Sequence, residues 1–178
     1  MALVISSRPA TPDDVHELCL ALPEVELGIS WGDRPTYKVP HGPKGRGFVL
    51  YRAPGRTAVD PTTGEPYDDL LVIVTPSAED KEALVGDEST PFFTVPHLNG
   101  YNAVLVQQSR LGELTYEELA EVIADAWRSR APARLLVTSP DPRRGPAAGR
   151  RGRPPGPRRD AAARRSGPAD ADGSGPSS

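Results

Sequence analysis

The order of apolar patterns along the chain predicts an α+β fold: a single compact domain with a mainly antiparallel sheet, N-terminal, middle and C-terminal helices, and a disordered C-terminal tail. Three observations carry that prediction. Helical and strand-like periodicities run helix, several strands, helix, two strands, helix, without the regular βαβ alternation that builds a parallel sheet. Residues 139–178 hold 8 of the 21 prolines, 7 of the 17 glycines and no aromatic residue, a composition that buries too little apolar surface to offset the entropy of ordering. The formal net charge of −3 divides with the same boundary. Residues 1–138 carry 12 basic and 20 acidic side chains, net −8, and residues 139–178 carry 9 arginines against 4 acidic groups, net +5. The expected organisation is a flexible N-terminus over 1–9, a domain over 10–138 and a tail over 139–178.

The elements follow in order. Thr11 is placed to cap a helix whose first turn holds Pro12, Asp13 and Asp14, and Val15, Leu18, Cys19 and Leu22 recur at helical spacing until Pro23. Strands are expected at Leu27–Trp31, Thr36–Val39 and Gly47–Ala53, with the Gly/Pro-rich stretch from His41 to Gly47 as a hairpin connection. A second loop runs from Pro54 to Tyr67. Leu70–Thr75 is a continuous aliphatic run, the pattern of a strand buried on both faces. Ser77, with Glu79 and Asp80 behind it, begins a short helix ending near Gly86. Phe92–Val95 and Ala103–Gln108 read as two further strands around the loop from Pro96 to Asn102. Thr115 and Glu118 make a capping-box pair for a last helix, with Tyr116, Leu119, Ala120, Ile123, Ala126 and Trp127 as its apolar stripe and Pro132 as its stop.

The segment from Ala21 to Glu26, followed by Trp31-Gly32-Asp33-Arg34-Pro35-Thr36-Tyr37-Lys38-Val39, resembles the opening of the MmcQ/YjbR family. The strand before Pro76, the stretch Val95-Pro96-His97-Leu98-Asn99-Gly100-Tyr101, and the helix with Glu117-Glu118-Leu119 and Trp127 continue the resemblance over about residues 10–136. It implies a compact CyaY-like fold, likened to a double-wing DNA-binding domain, and a DNA-binding role. A tryptophan often follows the His-containing loop in that family, and Tyr101 stands near its place here. The resemblance supplies no catalytic residue.

Other classes are excluded by composition. No apolar run approaches the roughly 18–20 residues of a membrane span, the N-terminus lacks the apolar core of a signal peptide, and one cysteine makes no internal disulfide framework. A cytoplasmic address, no membrane partner and no cofactor are the expectations. Cys19 sits on an apolar stripe and reads as a core thiol. His16, His41 and His97 share no metal-ligand spacing, and the Gly42–Gly47 loop lacks the Gly-Lys-Ser/Thr ending of a phosphate-binding loop. No catalytic constellation is present, so a non-enzymatic protein is expected.

Two stretches suit a polyanion. Residues 33–59 carry six basic groups, Arg34, Lys38, Lys44, Arg46, Arg52 and Arg56, against Asp33 alone, whereas residues 60–138 are net −9. A protruding basic hairpin can follow a phosphate backbone, with weak, salt-sensitive affinity; the alternative is a solvated hairpin whose charges protect a sheet edge. In the tail, Arg151-Gly152-Arg153-Pro154 resembles the core of an AT-hook, in which glycine lets the backbone lie deep in a narrow minor groove and arginines extend along its floor. Arg150 stands where the fuller pattern has proline, and a low-complexity tail binding any polyanion is the other reading. A protein-interaction or small-ligand module forms the runner-up, using the acidic helix face (Glu117, Glu118, Glu121, Asp125) or a pocket at His97, Asn99 and Tyr101.

Overall fold

The first helix, α1 (Pro12–Ala21), begins where the sequence places it. The Asp14 carboxylate accepts the Thr11 backbone N–H at 2.8 Å and the Thr11 hydroxyl at 2.9 Å, which fixes the first turn. The Arg8 guanidinium forks onto the same carboxylate at 2.6 and 2.7 Å. That pairing holds the Asp14 carboxyl well below the usual carboxylate range, with the Thr11 bonds adding to it against the opposing effect of burial. The computed structural model describes residues 7–30 and 32–137; the tail expected over 139–178, with its AT-hook-like core, lies outside the described residues.

Five strands follow: β1 (Glu26–Ser30), β2 (Arg34–Val39), β3 (Arg46–Tyr51), β4 (Leu70–Val74) and β5 (Ala103–Gln107). They lie side by side in sequence order, each antiparallel to the next, so the sheet is a meander. Between β4 and β5 comes α2 (Ala78–Gly86), whose Ser77 cap accepts the Asp80 N–H at 3.1 Å. After β5 come α3 (Tyr116–Arg130) and the single turn α4 (Ala133–Leu136). Thr115 and Glu118 form the expected reciprocal cap on α3, at 3.2 and 2.8 Å. No helix among the described residues is long and apolar enough to cross a membrane.

Strand alternation gives the sheet two unlike faces. One presents Tyr37, Val49, Leu71, Ile73, Val104 and Val106 to α1 and α3, where Val15, Cys19, Leu119, Ile123, Ala126 and Trp127 complete the main core. Burial pushes the Cys19 thiol pKa up, as suits a core thiol. Trp127 locks the layers together: its ring is 1% exposed and its Nε1–H donates to the Pro23 carbonyl at 3.1 Å. The opposite face carries only a small second core, in which Ala58 and Leu98 cover Leu70, Val72, Ala103 and Leu105. Among the described residues no helix joins that second core over the rest of the face. β4 lies between the two cores, which is why all five of its residues are buried.

Phe92–Val95 does not form the expected strand. Phe93 alone pairs, exchanging hydrogen bonds of 2.9 and 2.8 Å with Leu105. Pro91 and Pro96 bracket the four residues, and neither has an amide to donate, so the ladder stops after one bridge. Short helical turns also occupy Pro96–Leu98 and Gln108–Glu113, where a loop and the end of a strand were expected. All described residues belong to one packing unit, Met1–Asp141, an α+β architecture.

Candidate functional site

The open face of the sheet holds a cleft of about 460 Å³. Its floor is built by outward-facing strand residues: Thr36 on β2, Gly47 and Leu50 on β3, Val72 and Val74 on β4, and Ala103 on β5. The loop before β5 forms one wall with His97, Leu98, Tyr101 and Asn102. Gly47 keeps the floor flat, because a Cβ there would lie 2.7 Å from the Thr36 Cγ2.

Among the described residues four arginines line this space: Arg34, Arg46, Arg52 and Arg130. Arg34 begins β2 and Arg52 follows the end of β3. The Thr36–Leu50 pairing, continued by two residues, sets them opposite each other on the cleft face. Arg46 begins β3 at the other end, and Arg130 reaches it from the last residue of α3. The four ion pairs among the described residues use other arginines, Arg8 with Asp14, Arg110 with Glu113, Arg128 with Asp125, and Arg134 with Glu24. Among the described residues no carboxylate lines the cleft, and none pairs with its arginines.

The consequence is electrostatic strain. Burial lowers the pKa of Arg52, and the charge of Arg34 lowers it further; burial lowers that of Arg130, and the charge of Arg46 adds. Both stay cationic at any ordinary pH because a guanidinium starts so high. Arg52 donates to the Thr57 hydroxyl. The Arg130 Nε–H is buried without a hydrogen-bond partner, an unmet donor of the kind that a bound acceptor satisfies.

The wall is held by a residue that sequence reasoning passed over. Lys81, 9% exposed on α2, sends its ammonium to the carbonyls of Leu98 at 2.6 Å and Tyr101 at 2.9 Å. These bonds fix the loop that carries His97, Tyr101 and Asn102. Tyr101 remains 57% exposed at the rim, where a ligand can reach its ring.

The predicted residues therefore separate. Arg34, Arg46 and Arg52 meet in the cleft with His97 and Tyr101, while Asn99 is not part of the lining, and its neighbour Asn102 is. Lys38, Lys44 and Arg56 are absent from it. Lys38 lies across β1, donating to the Ile29 carbonyl at 3.3 Å. Lys44 sits exposed in the hairpin turn, where the Gly45 N–H bonds the Gly42 carbonyl at 3.0 Å and Gly42 takes φ +91. The turn is tied to the start of β1, Gly42 N–H to Glu26 at 2.9 Å and His41 Nε2 to the Val25 carbonyl at 3.1 Å, and so does not protrude freely. Of the acidic helix face, Glu118 caps its own helix and Asp125 pairs with Arg128 at 2.7 Å. Arg151, Gly152, Arg153 and Pro154 lie outside the described residues. Among the described residues no group of three or more His, Cys, Asp or Glu side chains is placed to hold a metal ion.

An antiparallel sheet backed by helices on one face and open on the other, with a cationic cleft in the open face, defines a small α+β domain with a concave surface suited to anions. The family model YjbR matches residues 20–129, and the chain belongs to the YjbR family. Uncharacterized proteins of Mycobacterium tuberculosis and Mycobacterium bovis are each 35% identical to it over 133 residues, spanning 71% of this chain and 93% of the relative. A crystal structure of a Deinococcus radiodurans protein with the DUF419 domain is similar at a TM-score of 0.45 and 23% identity, covering 66% of this chain and 75% of that one.

Proposed function

We propose that this domain is a non-enzymatic binding module for a small organic anion, seated in the cleft of the open sheet face. One observation carries the reading: among the described residues four arginines line a cleft of about 460 Å³ and no carboxylate pairs with them. Unpaired like charges gathered at a partly buried site cost stability, and an anionic ligand repays that cost on binding. The volume suits a small molecule, and the apolar floor of Leu50, Val72, Val74 and Ala103 suits one with a hydrocarbon or aromatic body. The test is a calorimetric titration of the full chain with a naphthalene monosulfonate at low salt. The double variant Arg52→Gln/Arg130→Gln weakens binding by about tenfold or more, and Lys44→Gln, outside the cleft, leaves it unchanged. Binding insensitive to both arginine substitutions refutes the assignment.

Duplex DNA is the second reading, favoured by the exposed Lys44, Arg46 and Arg56. It predicts a gel shift at low salt that weakens in Lys44→Gln and Arg56→Gln, and A·T preference that depends on Arg151 and Arg153. A phosphate-backbone contact of this kind loses affinity steeply with salt, with a slope of about −0.9 per phosphate. No shift at low salt removes it.

A further inference from the structure

The four arginines do not form one cluster. Arg46 begins β3 and Arg52 follows its end; across the bulged β2–β3 register they lie opposite Val39 and Arg34, five residues apart on β2, about 16 Å between backbones at ~3.3 Å per residue. Each has its own partner at its own end, Arg130 with Arg46 and Arg34 with Arg52. The neighbouring charges acting on the two more buried members respect this division: Arg52 responds to Arg34, and Arg130 to Arg46. Between the pairs the floor is formed by Gly47 and, towards the Arg52 end of β3, Leu50, with Val72 and Val74 on the neighbouring β4.

Accepting that the cleft binds an organic anion, we propose that its ligand is bipolar: one anionic group on Arg34 and Arg52, a second on Arg46 and Arg130, and an apolar body lying along β3 over Leu50. A lone phosphate or carboxylate is too short to serve both pairs. A molecule anionic at one end leaves the other pair with its repulsion and, at Arg130, with a buried N–H unmet. Guanidinium forks match both planar carboxylates and tetrahedral oxyanions, so the two chemistries share the geometry. Tyr101, exposed at the rim, gives a planar body a face to lie against.

The experiment compares two probes with the same ring body on the full chain at low salt. One is a naphthalene monosulfonate and the other a naphthalene disulfonate with its groups at opposite ends. The arginines of residues 139–178 offer further anion contacts, so cleft binding is read as the difference between wild type and the double variant Arg52→Gln/Arg130→Gln. The expected result is a disulfonate bound at least about tenfold more tightly than the monosulfonate, the gain from a second forked contact. Arg52→Gln or Arg130→Gln alone abolishes that advantage and leaves one-ended binding. The matched naphthalene dicarboxylate distinguishes a carboxylate ligand from a tetrahedral oxyanion by which of the two shows the larger gain. Equal affinity for the one-ended and two-ended probes, with both lost in the double variant, overturns the bipolar assignment while the cleft stays an anion site. No difference between wild type and the double variant with any probe overturns both.

Discussion

Lys81→Met is the substitution whose effect the structure specifies most closely. The ammonium makes two charge-assisted hydrogen bonds, to Leu98 O at 2.6 Å and Tyr101 O at 2.9 Å. Such bonds contribute about 1.5–3 kcal/mol each. Methionine keeps most of the aliphatic stem, so little packing is lost. Two effects reduce the gross loss of roughly 3–6 kcal/mol. Each carbonyl keeps a second partner, Leu98 O from the Tyr101 N–H at 3.0 Å and Tyr101 O from the Ala103 N–H at 2.9 Å, so neither is left bare. Removing the ammonium also removes the cost of burying a charge, several kcal/mol in a dry interior and less at 9% exposure. The net expectation is a destabilisation of about 2 kcal/mol, read as a lower urea midpoint with an unchanged slope. The loop carrying His97, Tyr101 and Asn102 loosens with it, so anion affinity in the cleft falls although Lys81 touches no ligand. A change below about 0.5 kcal/mol, the size of an ordinary surface substitution, together with unaltered binding, would refute the positioning role.

Other perturbations follow from the same contacts. Trp127→Ala empties a site 1% exposed and leaves the Pro23 carbonyl without its donor, and urea titration should register a loss of about 3–5 kcal/mol. Asp14→Asn removes a carboxylate whose folded pKa is depressed, first by Arg8. Its contribution is present in full above the unfolded value of about 3.9 and disappears as pH falls through the folded one. Wild type should exceed the variant by about 2 kcal/mol near neutrality, and the two unfolding midpoints should converge in acid. Arg52→Gln relieves like-charge repulsion with Arg34, screened by solvent at this half-buried site, and should leave the ligand-free domain at least as stable as wild type, even as the preference for a two-ended anion is lost. Thermal unfolding with and without the naphthalene disulfonate separates the two effects.

How much of this was legible in the sequence depends on how local each signal is. The caps at Thr11 and Thr115, the stripe from Tyr116 to Trp127 and the aliphatic run at Leu70–Val74 are written within a few residues, and they fold accordingly. Phe92–Val95 has strand composition, but strand formation needs a partner and amides on both sides, and the flanking prolines deny it the second. The basic stretch over 33–59 was visible as a charge count. Which of its members converge depends on the β2–β3 register and on which face each side chain takes. The Thr36–Leu50 pairing turns Arg34 and Arg52 to one side, while Lys44 stays in the turn. Arg130 and Lys81 were silent for a different reason. They lie on helices far along the chain, and only tertiary packing brings one to Arg46 and the other to the Leu98 and Tyr101 carbonyls.

The central claim is that the anion site is the cleft and not the hairpin tip. Its most direct test is an amide chemical-shift map of the full-length protein titrated with the naphthalene disulfonate at low salt. The account predicts saturable shifts concentrated at Arg34, Arg46 to Arg52, Tyr101 to Ala103 and the C-terminal turn of α3 at Arg130. Shifts confined to Lys44, Arg56 or residues 139–178, with the cleft residues unmoved, would contradict it.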